Sequence, residues 1–95
     1  MEIKESVFMI KVLLLKNNLV LIARLTEVST DLGEPDCKLH RPFEMVADPY
    51  KNTITYSSWP WFTNQKELMI HSDYILTIVD PTEEQLAKYN SLNDG

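Results

Sequence analysis

Two consecutive apolar runs restrict the possible folds more than any other feature of this chain. The first, Val7-Phe8-Met9-Ile10-Lys11-Val12-Leu13-Leu14-Leu15, is β-branched and almost continuously hydrophobic. Lys16-Asn17-Asn18 follows, and Asn tolerates the positive φ of a tight hairpin. The second run begins at Leu19 and continues to Val28. Leu19, Leu21, Ala23 and Leu25 share one face; Val20, Ile22, Arg24, Thr26 and Val28 share the other. Strands apolar on both faces need cover on both faces. In a small domain one cover is the inner core, and the other is a flanking helix or a neighbouring subunit. The second run turns half-polar midway, the pattern of a long strand that bends as barrels require.

The remainder reads as further strands and one helix. Ser29-Thr30-Asp31-Leu32-Gly33-Glu34-Pro35-Asp36 is a loop, with both punctuating residue types. Cys37, Leu39, Phe43, Met45 and Ala47 then alternate against Lys38, His40, Pro42, Glu44 and Val46. Arg41 falls on the apolar side of this series. Pro42 makes it an edge strand or one bulged near Arg41-Pro42. After a turn over 48–52, residues 53–62 have strong β-propensity, although Pro60 disfavours a central position. A turn over 63–66 leads to two short strands, 68–70 and 75–79, separated by His71-Ser72-Asp73. Asp80 as N-cap, Pro81 at the first helical position and Glu83-Glu84 in the first turn predict a helix over 81–90. Leu86 and Tyr89 would pack against the sheet, and residues 91–95 would fray.

Ninety-five residues make a single domain, and a hydrophobic fraction of 44% is that of a folded chain. The formal charge of −5 argues against broad wrapping by nucleic acid, which needs clustered Lys and Arg. It leaves room for a local site. The single cysteine, Cys37, excludes an intramolecular disulfide and reads as a buried structural thiol in a reducing compartment. The acidic start Met1-Glu2-Ile3-Lys4-Glu5 lacks the features of a signal peptide. Lys11, Lys16 and Arg24 break the apolar runs below membrane-spanning length. These features predict a cytoplasmic protein with no membrane partner.

No catalytic constellation stands out. His40 and His71 are far apart and lack metal-ligand spacing, so neither a metal nor another cofactor is expected. With only Gly33 and Gly95, a glycine-rich phosphate loop is excluded. Cys37 has no base nearby in sequence, and no small-molecule substrate is indicated. Three groups carry alternative readings. Lys38, His40 and Arg41 form either a solvated strand face or a phosphate-contacting patch. Trp59-Pro60-Trp61-Phe62 either stacks bases or packs into a core or subunit interface. His71-Ser72-Asp73 is either a plain polar turn or a ligand turn.

Three segments are similar to the Sm/LSm family of small, strongly bent barrels. Val12-Leu13-Leu14-Leu15-Lys16-Asn17-Asn18 resembles its first strand and Lys-Asn-Gly turn. Residues 19–28 followed by Asp31 resemble the second strand and the Asp-containing loop after it. Met69-Ile70-His71-Ser72-Asp73-Tyr74-Ile75-Leu76-Thr77-Ile78 resembles the motif Ile-Arg-Gly-x-x-Val-x-x-Ile, with His71 at the Arg position and Ser72 at the Gly. The bacterial Hfq branch carries Tyr-Lys-His at that turn. The chain as a whole also resembles a group of small Sm-like proteins of marine and cyanophage origin; a viral origin would make the cytoplasm that of the host cell. The resemblance implies a mainly β fold: a five-stranded, strongly bent, SH3-type barrel over about 7–80 with a short C-terminal helix, in one domain of 1–95. It also implies a homo-oligomeric ring binding single-stranded RNA or DNA in RNA processing or regulation. Asp31, His71 and Ser72 would line the pore, with Lys38, His40 and Arg41 as further nucleic-acid contacts. An edge strand, 37–46 or 53–62, would pair with 75–79 of the next copy, placing Trp59, Trp61, Ile75 and Ile78 at the interface. A structural or protein-interaction module without nucleic-acid binding is the alternative.

Overall fold

A computed structural model of the protein describes residues 9–94. The acidic start, the first two residues of the expected first strand, and Gly95 lie outside the described residues. The element order is β1 (Met9–Leu15), β2 (Val20–Glu27), β3 (Cys37–Asp48), β4 (Thr53–Ser58), β5 (Glu67–Ile70), a single 3-10 turn (Ser72–Tyr74), β6 (Ile75–Val79) and α1 (Glu83–Asp94). The strands form one open antiparallel sheet in the order β4-β3-β2-β1-β6, with β5 on β3 off that path.

Six strands are present, as the residue pattern predicted, against the five that the Sm resemblance implied. The segment predicted as a strand over 53–62 stops at Ser58, and the separate short strand predicted over 68–70 is β5, which starts at Glu67. Both strands pair with β3: Phe43–Asp48 with β4, and Cys37–His40 with β5. A cis Trp59-Pro60 peptide opens the intervening loop. Pro60 has no N–H to donate to a ladder, which fits the break.

β3 is not an edge strand. It has β2 along one side and β4 and β5 along the other. Pro42 is accommodated by the bulge that the sequence offered as the other possibility. Ile22 faces Phe43 and Arg24 faces His40, so Arg41 and Pro42 together oppose Ala23. Arg41 takes a positive φ of 53°. The extra residue reverses the alternation. Cys37 and Leu39 face one core, whereas Met45, with Phe43 packed beside it, faces the other. The uniform face read for Cys37, Leu39, Phe43 and Met45 is corrected accordingly: a side-chain period of two does not survive a one-residue insertion.

Both covers anticipated for the central strands bear on packing. The inner cluster contains Leu13, Leu15, Leu21, Ala23, Leu25, Cys37 and Leu39, with Trp59, Ile70 and Ile75 against it. On the opposite face, Ile22, Met45 and Tyr89 form a second cluster with Phe43 and Tyr56. Tyr89 comes from α1, so the helix supplies the second cover; its ring meets Phe43 edge-on at 5.9 Å. Leu13, Leu21 and Leu39 have no exposed surface. Such burial contributes roughly 1.5–3 kcal/mol per side chain.

The helix begins later than predicted. Thr82, not Asp80, caps it: the Gln85 N–H donates to Thr82 Oγ1 at 3.1 Å, and the Thr82 N–H donates to Gln85 Oε1 at 3.0 Å. This Thr-x-x-Gln arrangement is a capping box, which satisfies two end donors reciprocally. Asp80 instead pairs with Lys11. Residues 91–94, expected to fray, continue the helix.

Candidate functional site

The loop between β2 and β3 folds back on itself. The Val28 N–H donates to Asp36 O at 3.0 Å, and the Glu34 N–H donates to Asp31 O at 3.1 Å. Gly33, at φ 89°, takes the left-handed conformation that the turn requires. On the other side, His71 ends an extended segment with φ −81° and ψ 133°, and the 3-10 turn follows. Its geometry is held by Tyr74 N–H to His71 O at 3.0 Å and by Lys16 N–H to Tyr74 O at 2.9 Å.

Asp36 joins the two segments. One carboxylate oxygen accepts the Ser72 N–H and the other accepts the Ser72 hydroxyl, each at 2.8 Å. These bonds, backbone first, hold the Asp36 carboxyl below the usual carboxylate range, and nearby His71 adds in the same direction. A groove of about 360 Å³ results, lined among others by Asp31, Glu34, Asp36, His71, Ser72 and Asp73. Asp31, His71 and Ser72, read from separate segments, are thus brought into one groove. Four carboxylates line it against a single imidazole, so its field disfavours phosphate.

Lys38, His40 and Arg41 are divided. Lys38 Nζ lies 3.9 Å from one Glu67 oxygen, and His40 Nδ1 lies 3.2 Å from the other. The β3–β5 register puts these side chains together, since His40 faces Glu67 directly. Arg41 sits in the bulge. Its N–H donates to Lys66 O at 2.7 Å, and its carbonyl accepts the Tyr89 hydroxyl at 3.0 Å. Of the residues assigned to an interface, Trp59 and Ile75 pack against the inner core of their own chain. Trp61 and Ile78 are exposed.

Cys37 is buried, and that burial pushes its thiol up, with the Asp36 and Glu27 carboxylates adding to the effect. This is the setting of an inert structural thiol. Among the described residues there is no cluster of three or more His, Cys, Asp or Glu able to hold a metal. No helix there is long and apolar enough to cross a membrane.

Asp36 was not singled out from the sequence. Its partner Ser72 is 36 positions away, and nothing local distinguishes Asp36 from the other acidic residues of its loop.

Residues 8–94 match the family described as a family of unknown function (DUF6561), and the chain belongs to that family. No curated protein matches it.

Proposed function

We propose that this member of the DUF6561 family is a non-catalytic, Sm-like module that assembles edge to edge into a homo-oligomeric ring. The observation that carries the reading is β6. Among the described residues this strand ends the sheet and pairs only with β1. Leu76, Ile78 and Val79 on it are 55%, 43% and 47% exposed. An unpaired edge bearing apolar side chains is a template for another strand. The outer edges of β4 and β5 are the complementary partners within the same chain. Pairing β6 of one copy with β4 or β5 of the next is heterologous, and it closes into a ring when the rotation permits. The return of β6 onto β1 through a single 3-10 turn supports the SH3-type path expected of the Sm family.

Light scattering tests the assembly. The wild-type chain is expected at a multiple of 11.0 kDa. The double variant Leu76→Glu, Ile78→Glu is expected as a folded monomer, because two charges cannot be buried in a strand interface without partners. A wild-type monomer at every concentration sinks the ring.

A second reading, single-stranded RNA binding at the ring's inner rim, is supported by the convergence of Asp31, His71 and Ser72. The acidic lining directs that contact to bases: carboxylates accept base N–H groups and the imidazole stacks. Weak contacts of this kind gain avidity by repetition around a ring. A labelled oligonucleotide titrated at several salt concentrations checks it. His71→Ala is expected to weaken binding while leaving the assembled mass unchanged. Absence of binding even at low salt removes RNA and leaves the protein-assembly module.

A further inference from the structure

A small cavity of about 90 Å³ opens at the β3 bulge, away from the His71 groove. Arg41, Lys66, Ser58, Thr63 and Asn64 line it beside Trp59, and no carboxylate does. In a chain of net charge −5 this is a local reversal of sign. Arg41 and Lys66 pair with no carboxylate among the described residues. Glu67, next to Lys66, is already engaged by Lys38 and His40.

The backbone is built to hold Arg41 there. A non-glycine residue at positive φ is costly, and a bulge re-aims the side chain it carries. Three separate bonds fix this bulge: Arg41 N–H to Lys66 O at 2.7 Å, Trp59 N–H to Pro42 O at 3.0 Å, and the Tyr89 hydroxyl to Arg41 O at 3.0 Å.

We propose that this cavity binds a phosphate-type oxyanion, either the phosphodiester of a single-stranded nucleic acid or free phosphate. Arg41 offers a planar fork suited to two oxygens, and Lys66 offers a point charge. Thr63 Oγ1 accepts the Gln65 N–H at 3.1 Å, which leaves its O–H free to donate. Ser58 and Asn64 add neutral donors. The volume suits one tetrahedral oxyanion. The site shares no lining residue with the His71 groove and adjoins the ends of β4 and β5 at Ser58 and Lys66; it is read by phosphate-dependent shifts and assembly by mass, so the failure of one is distinguishable from the failure of the other.

The test uses the full chain, ¹⁵N-labelled, titrated with inorganic phosphate and separately with a short oligouridylate, against chloride at matched ionic strength. Saturable shifts are expected at the Arg41 side-chain Nε–H and at the amides of residues 63–66. Lys66→Gln and, separately, Arg41→Lys should weaken the response about tenfold, as loss of a charged hydrogen bond does, with resonances elsewhere unmoved. Oligouridylate acting on the same residues with the same loss in Lys66→Gln assigns a phosphodiester site. A response to inorganic phosphate alone assigns a free-oxyanion site. Shifts no different from chloride's, or an affinity unchanged in Lys66→Gln, overturn the proposal.

Discussion

Asp36 is the residue on which the His71 groove depends. Both of its oxygens serve Ser72, and Ser72 offers both a backbone and a side-chain donor. The hydroxyl of Ser72 is one of the two donors that Asp36 accepts, so a serine at this turn has a local physical role. The clamp has a pH signature. The folded carboxyl is held below its ordinary value. A group lowered in this way stabilises the fold above its unfolded value of about 3.9, and that stability is lost as pH falls through the lower folded value. Asp36→Asn is therefore expected to unfold at lower urea than wild type at pH 7, with the two midpoints converging as the solution is acidified below the ordinary carboxylate range. A constant offset down to the lowest pH would show that the charge plays no part.

At the scale of elements, β3 and α1 form one unit. The Tyr89 hydroxyl is shared between the carbonyls of His40 and Arg41 at 2.9 and 3.0 Å, where the bulge opens the ladder. Tyr89 has no exposed surface, and burial pushes its hydroxyl pKa up. Tyr89→Phe keeps the ring contact with Phe43 and removes the donor from two partly buried carbonyls. A loss of about 1–2 kcal/mol in urea unfolding is expected. The control is Tyr56→Phe on the same face, whose hydroxyl makes no hydrogen bond among the described residues; it should change stability by less than about 0.5 kcal/mol. Equal losses in the two variants would mean that the bulge is not anchored through the helix. Tyr89 was legible as a packing residue of the helix predicted after Pro81. Its polar partners were not, because they become available only once β3 is bulged.

For the molecule as a whole, the balance lies between two covered faces and exposed edges. The described chain has a radius of gyration of 13.7 Å, close to the roughly 13 Å of a domain of about 100 residues. Even so, Tyr74, Leu76, Ile78 and Val79 remain exposed on and before the end strand. If ring assembly covers them, stability depends on mass action, and the thermal midpoint should rise with protein concentration. In Leu76→Glu, Ile78→Glu it should be independent of concentration. Calorimetry across a hundredfold concentration range checks both, and a wild-type midpoint that does not move contradicts assembly through β6.

Local patterns determined much of this protein by themselves. Two near-continuous apolar runs and Asn17-Asn18 marked the β1–β2 hairpin, because burial and turn conformation are properties of neighbouring residues. The double-sided hydrophobicity of β2 required two covers, and the inner core and α1 supply them. Pro42 announced the break in β3. Tertiary structure alone decided what that break does: an inserted residue reverses the faces of Phe43 and Met45, turns Arg41 into a separate cavity, and leaves β3 interior, with the edges of the described sheet on β4, β5 and β6. It alone paired Asp36 with Ser72 and Glu67 with Lys38 and His40. Such pairs form between residues distant in the chain, and they depend on strand register, which no short stretch of sequence contains.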